Sequence, residues 1–230
     1  MNMMRNIEPI KVQIRKLDKH EHVPSFDCGD EDLNEFILND SPLYRKELLA
    51  VSYVMENSET KQVIAYFSLA NDKITITDFP DKNAFNRFRR KRFVNQKRLK
   101  SYPAVKICRF AVDKQFQSLS YGRILMNFIK TFILSSSKTT GCRFLTVDAY
   151  TDAVPFYKKN DFEPLDVPQD TDRTHLFYYD LKQSISDPID DNRNITEEII
   201  EVAANLKSLG VSVDVISKAT FLTVEEIAAL

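Results

Sequence analysis

Residues 107–128 read ICRFAVDKQFQSLSYGRILMNF. The stretch opens on an apolar run suited to a buried strand, crosses the polar QSLSYG, and ends in a helix whose periodicity is the clearest in the chain. Ile124, Leu125, Phe128, Ile129, Phe132 and Ile133 fall in pairs four apart, which makes one wide apolar face. Gly122, one of only four glycines in 230 residues, stands where strand hands over to helix. A helix N-terminus leaves amides unpaired and carries partial positive charge, so a turn that admits a ligand to those amides binds an anion. Gly122 allows close approach, Ser118 and Ser120 offer hydroxyls, and Arg123 adds a cation. A plain helix cap accounts for the same residues, and the turn alone does not choose. Neither a P-loop nor G-x-G-x-x-G occurs, so a nucleoside triphosphate or dinucleotide site has no support.

Outward from this turn the pattern is strand and helix in alternation. AVKICRFAVD (104–113) is a central strand, CRFLTVDAY (142–150) another, DAVPFYKKND (152–161) a short helix and RTHLFYYDL (173–181) a last strand. That order implies a mixed α/β sheet with helical crossovers. Upstream, IKVQIRKL (10–17) alternates as a strand and EDLNEFILND (31–40) has a helical face with acidic residues at its start. AVSYVME (50–56) and QVIAYFSLA (62–70) flank NSETK as a hairpin, and DKITITD (72–78) stays extended. Past Leu181 the chain becomes polar, and we divide it into a domain at 1–183, a linker at 184–194 and a helical tail at 195–230.

Composition excludes several classes. Hydrophobic residues at 43% and charged residues at 28% describe a globular chain able to bury a core. No apolar run reaches the roughly 18 residues of a membrane span, and MNMMRNIEPI lacks the apolar segment of a signal peptide. Cys28, Cys108 and Cys142 are odd in number and widely spaced, and His20, His22 and His175 form no H-x-x-x-H pair. A cytoplasmic protein without a metal site is therefore expected. The net charge of −1 hides an asymmetry: residues 184–230 hold nine acids and three bases, leaving 29 bases against 24 acids elsewhere. Ten Lys and Arg lie between Lys82 and Lys106 with no acid among them.

The series resembles the GNAT acyltransferase superfamily. Its hallmark Q/R-x-x-G-x-G/A is met by Gln117 and Gly122, with Ser120 in place of the first glycine. A second hallmark, A-x-x-F-Y-x-x-x-G-F, is met by Ala153, Phe156, Tyr157 and Phe162, with Asp161 in place of its glycine. Tyr150 replaces a common asparagine seven positions before Tyr157. The resemblance implies a GNAT fold over about residues 10–181 and acetyl-CoA as cosubstrate, its pyrophosphate held by Gln117, Ser118, Leu119, Ser120, Tyr121, Gly122 and Arg123. It also implies an amine attacking the thioester directly in a gap between splayed strands. There Phe110, Ala111 and Val112 offer backbone groups to the pantetheine arm and thioester, and Tyr157 protonates the leaving thiolate. A thiol of pKa about 8.5 and a phenol of about 10 suit that transfer. Tyr157 also reads as a core aromatic, and Asp148 as either a base or a helix cap.

Two features bear on the acceptor. VPSFDCGDEDLNEFI (23–37) resembles the S-F-x-C-G-x-x-x-L-N-x-[FW]-[IL] opening of a GNAT branch that includes tRNA-acetylating toxins of toxin–antitoxin pairs. The basic stretch 82–106, interleaved with Phe85, Phe88, Phe93 and Tyr102, suits an RNA backbone, with Arg89, Arg90 and Arg92 the first choices for contact. A solvated basic helix face is the other reading. Expected partners are thus an amine acceptor (small molecule, protein or aminoacyl-tRNA), an antitoxin and a second copy of the chain. The acidic tail is expected to dock on the basic stretch, in this chain or in a partner. The rival class is a non-catalytic nucleic-acid-binding or regulatory protein that keeps the fold.

Overall fold

The computed structural model describes residues 11–94, 99–165, 173–184, 200, 203–204, 206–207, 213–220 and 222–230. Among the described residues seven strands form one sheet in the order β1-β2-β3-β4-β5-β7-β6. They are β1 (Val12–Lys16), β2 (Val51–Asn57), β3 (Val63–Thr75), β4 (Ser101–Val112), β5 (Phe144–Tyr150), β6 (Glu163–Pro164) and β7 (Thr174–Asp180). All neighbours are antiparallel except β4 and β5. The mixed α/β sheet read from the sequence is therefore present. The parallel pair is the one joined by the long amphipathic helix α4 (Tyr121–Ser136), as a crossover requires.

Each face of the sheet has its own helices. The stripe on α4 does what its period demands: Leu125, Phe128, Ile129 and Ile133 are buried against β3, β4 and β5 residues such as Phe67, Ile107 and Val147. On the other face α1 (Glu31–Glu35) starts at Asp30, whose carboxylate accepts from Leu33 N. A π-helical turn (Phe36–Asp40) leads into α2 (Ser41–Lys46), which Pro42 opens. Phe26, Phe36 and Ile37 from this segment cover Val54, Tyr66 and Ala111. Helix α3 (Lys82–Arg92) is capped by Asp81 and packs Phe85 and Phe88 on Tyr102, Phe144 and Tyr178. The short α5 (Val154–Lys159) follows β5.

Of the tail, α6 (Val213–Thr220) and α7 (Val224–Ala228) are described, α7 with a Thr223–Glu226 capping box. Ala203, Leu206, Ile216, Leu222 and Ile227 are buried in the same core as α4. Helix α6 lies against α4 and β1, so within this chain the expected docking on the basic helix α3 gives way to an apolar contact elsewhere. Ile216 and its neighbours carry an apolar stripe that an acid–base contact with α3 would have left in water. Linker residues 185–194 and most of the expected helix at 196–210 lie outside the described residues. No helix among the described residues is long and apolar enough to cross a membrane.

Candidate active site between the splayed strands

Strands β4 and β5 pair only through Ala104, Val105 and Lys106 opposite Phe144, Leu145 and Thr146. Beyond that point they diverge around a cavity of about 850 Å³ lined by both strands, α1, α5 and the start of α4. A bulge contributes to the divergence. Ser68 faces Arg109 while Leu69 faces Ile107, so Cys108 is the extra residue on β4.

The bulge sets which groups face the gap. Asp113 N donates to Ile64 O on the β3 side at 2.9 Å. Alternation then turns the amides of Ala111 and Arg109 toward β3 and those of Phe110 and Val112 toward the gap. Of the three residues expected to offer backbone groups, Phe110 and Val112 are placed to do so. Ala111 lines the cavity, but its amide serves the β3 ladder. The side chains sort as well: Phe110 meets Phe156 at 5.3 Å on the α5 side, whereas the Arg109 guanidinium lies 4.9 Å over Phe36 on the α1 side.

The turn into α4 is built from left-handed residues that are not glycine. Ser118 has φ 64° and Ser120 φ 67°, in the region that costs an L-residue about 1–2 kcal/mol. Asp161, in place of the second family glycine, has φ 62°, and its carboxylate sits 3.5 Å from Lys130 Nζ. Both departures therefore keep the glycine-like backbone and carry its strain. Gly122 differs: its φ is not left-handed, and its service is space. A Cβ there would lie 3.2 Å from Phe156 Cε2 and 3.6 Å from Val112 Cγ2.

The amides at this turn are open. The first amide of α4 bonded back to the backbone is Ile124 N, to Ser120 O at 3.1 Å, and the Ser120 side chain makes no cap bond. The first turn holds no acid, and Arg123 is exposed there. A cation at a helix N-terminus opposes the macrodipole unless an anion joins it. Leu119 is exposed, and Tyr121 turns inward, edge-on to Phe116 at 5.9 Å. Gln117 plays a part the motif does not announce. Its Nε2 donates to Cys28 O at 2.9 Å and Val112 O at 3.0 Å, bracing the N-terminal segment against the end of β4.

That segment forms the far wall. Asp27 accepts from Gly29 N, Asn34 Nδ2 and Lys114 Nζ, and Cys28 N donates to Asn34 Oδ1 at 2.9 Å. Gly29 takes φ 95°, which turns the chain so that Cys28, Asp30, Leu33 and Phe36 face the cavity. Sequence reading recognised the motif but not that it lines the site. The signal was the pairing of Cys, Gly and Asn at fixed spacing, which the structure resolves into an Asx-type scaffold.

Tyr157 lines the cavity from α5 with its ring buried, edge-on to Phe156 and Phe162. No hydrogen bond of its hydroxyl is found among the described residues, and the residue is part of the cavity lining. Burial pushes its pKa well above the ordinary phenol value, so the group holds its proton across the neutral range. Asp148 caps no helix: its carboxylate is ion-paired with Lys106 across the gap. Burial pulls the Lys106 ammonium down, but the bond to Asp148 and the charge of Asp72 outweigh it and hold the pKa above the ordinary lysine value.

The basic stretch divides in two. Arg92 is largely buried, 3.2 Å from Glu163 and 3.7 Å from Asp180, and its guanidinium covers the Phe88 ring at 4.3 Å. It is committed to the fold rather than to RNA. Arg89 donates to Leu99 O and covers Phe85. Arg90 is exposed, as are Arg87 and Lys91. Phe85, Phe88 and Tyr102 are buried and Phe93 stacks on Tyr102 at 4.1 Å, so the interleaved aromatics are core and not a platform for bases. No cluster of metal-ligating side chains occurs among the described residues.

Known proteins agree with this geometry. A family model for the acetyltransferase (GNAT) domain matches residues 81–182. No curated protein matches the sequence. Among solved structures, a tyrosine-to-phenylalanine variant of KacT superposes with a TM-score of 0.61 at 20% identity, over 75% of this chain and 96% of that one. AtaT complexed with acetyl-methionyl-tRNAfMet gives 0.60 at 23% identity, over 75% and 96%. AtaTR bound with AcCoA gives 0.59 at 23%, over 75% and 95%. From α3 to β7 the chain matches the GNAT acetyltransferase domain, and over three quarters of its length it shares the fold of these solved structures.

Proposed function

We propose that the chain transfers the acetyl group of acetyl-CoA to a primary amine by direct attack, and that the amine belongs to aminoacyl-tRNA. The observation that carries this reading is the gap between β4 and β5, with open α4 amides at one end and Tyr157 among its lining residues. The Ser118–Arg123 turn would receive the pyrophosphate, because unpaired amides and Arg123 both favour an anion there. Phe110 and Val112 would take the pantetheine arm and the thioester carbonyl, one amide stabilising the developing oxyanion; such a donor contributes about 3–4 kcal/mol. The amine nitrogen bonds to the carbonyl carbon, the C–S bond breaks, the nitrogen loses a proton and the thiolate gains one. Tyr157 donates to the departing sulfur.

The acceptor class rests on shape, charge and likeness. The exposed Arg87, Arg90 and Lys91 sit on α3, which packs over Tyr102 and Phe144. From Ala104 to Phe110 the strand runs about 20 Å at ~3.3 Å per residue, a span that a macromolecular acceptor bridges and a small amine does not. AtaT, with the same fold, was solved with acetyl-methionyl-tRNAfMet, and with the C-terminus of the antitoxin AtaR. An antitoxin partner belongs to the same proposal.

The test has two steps. Acetyl-CoA at 100 times its Kd should stabilise the protein by about 2.7 kcal/mol in a thermal-shift measurement; no shift at millimolar ligand refutes the reading. Tyr157→Phe should then lower kcat for acetylation of aminoacyl-tRNA by about 10²–10⁴-fold with acetyl-CoA affinity unchanged. A variant with wild-type kcat removes Tyr157 from the mechanism.

A further inference from the structure

Among the described residues two cations line the cavity, and they differ in one respect. Lys106 is paired with Asp148. Arg109 has no carboxylate within 4.0 Å among the described residues. Its Nη1 donates to Cys108 O at 2.8 Å, its Nε is enclosed without a partner, and its guanidinium rests on the Phe36 ring. Several other arginines that are not exposed have carboxylates or several acceptors beside them: Arg15 has Glu21 and Glu56, Arg45 has Ser41 Oγ and two carbonyls, and Arg92 and Arg143 have Asp180, although Arg143 Nε makes no aligned hydrogen bond. A half-buried guanidinium with unmet donors is costly for the empty protein. The fold nonetheless holds it in place, through the bulge at Cys108 that directs it to the α1 side and the Phe36 ring that the π-helical turn presents.

The position says what it waits for. The open α4 amides, Val112 and Phe110 lie on the α4–α5 side of the sheet, where acetyl-CoA enters under the reading above. Arg109 faces the opposite side, between Phe36 and the wall that carries Asp30 and Tyr150. We infer that Arg109 binds an oxyanion of the acceptor, a phosphate or carboxylate near the reacting amine. The guanidinium fork suits either group. Arg109 is an acceptor-binding residue: it touches neither the thioester nor the leaving sulfur. The inference rests on the proposed acetyltransferase reading and adds that the acceptor is an amine with a neighbouring anion.

The experiment compares wild type, Arg109→Gln and Arg109→Lys on three acceptors with saturating acetyl-CoA: bulk aminoacyl-tRNA, free amino acids and amino-acid amides. The first carries phosphate, the second carboxylate and the third no anion. Wild type should use one anionic acceptor in preference to the amides, and which one identifies the group. Arg109→Gln should raise KM for that acceptor by about 10–100-fold, with acetyl-CoA KM unchanged and the amide reaction unaffected. Arg109→Lys should recover part of the loss, since it keeps charge without the fork. Melting temperature supplies the readout that a structural role would move: Arg109→Gln should melt at or above wild type, because removing an unmet cation relieves a cost. Unchanged acceptor KM in Arg109→Gln, equal use of amides by wild type, or a fall in melting temperature with both substrates' KM rising together would each overturn the inference. A wild-type protein that fails to bind acetyl-CoA refutes the underlying reading instead, and the thermal shift shows which has failed.

Discussion

Ser120→Gly restores the residue that the GNAT motif carries at this position, and the structure gives its effect a sign. Ser120 sits at φ 67° and ψ 0°, a left-handed conformation that costs about 1–2 kcal/mol for an L-residue. Glycine escapes that cost but loses about 0.5–1 kcal/mol more chain entropy on folding. Nothing else is given up, because the serine side chain makes no capping bond to α4. The balance is a gain of about 0.5–1 kcal/mol. For a chain of this size 1 kcal/mol moves Tm by roughly 2–4 °C, so Tm should rise by about 1–4 °C. The assay is thermal and urea unfolding, with the urea m-value unchanged so that the shift reports stability alone. Ser120→Ala is the control: it keeps the strain and removes the hydroxyl, and should stay within about 0.5 kcal/mol of wild type. Asp161→Gly makes the same exchange at φ 62°, with the ion pair between its exposed carboxylate and the largely buried Lys130 at stake, worth about 1 kcal/mol. Its gain should be smaller. A Ser120→Gly protein that melts below wild type, or an alanine variant more than 1 kcal/mol weaker, would refute the reasoning, since either means that the hydroxyl holds the turn.

Two other substitutions separate packing from binding. Gly122→Ala places a methyl 3.2 Å from Phe156 Cε2, so the ring must shift by a few tenths of an ångström toward the cavity it lines. Stability should change by less than about 1 kcal/mol, since alanine suits a helix, while titration calorimetry should show acetyl-CoA binding about tenfold weaker; unchanged affinity would show that the ring gives way freely. Arg92→Ala strands the buried Asp180 carboxylate with fewer partners and should destabilise by about 2–4 kcal/mol in urea unfolding, whereas exposed Arg90→Ala should stay within about 0.5 kcal/mol and weaken tRNA binding with a shallower salt dependence. An Arg92→Ala protein of wild-type stability would place that residue back among the free cations.

Much of the site was legible because its signals are local. A strand, a polar turn and an amphipathic helix are read within 22 residues, and the apolar stripe of α4 needs only its own period. Gln117 and Asp27 were harder: their partners lie far along the chain, at Cys28 and Lys114, and no spacing announces such bonds. The basic stretch misled for a related reason. Composition counts Arg90 and Arg92 alike, while the helix turns Arg90 to solvent and Arg92 into a carboxylate pair supplied by β6 and β7. The aromatics between them follow the same helical period and face inward, where they form core.

By itself the sequence determined the mixed sheet, the turn at Gly122 and the resemblance to the GNAT domain, since periodicity, turn residues and motif order are properties of short stretches. The tertiary structure alone decided what those stretches face. It set the point past Lys106 where β4 and β5 part, and the bulge at Cys108 that sends Arg109 to one side and Phe110 to the other. It also showed that the glycine-like backbone sits at Ser118, Ser120 and Asp161 while Gly122 serves for space. The physical reason is that orientation in a sheet depends on register, and register is fixed by partners distant in the chain.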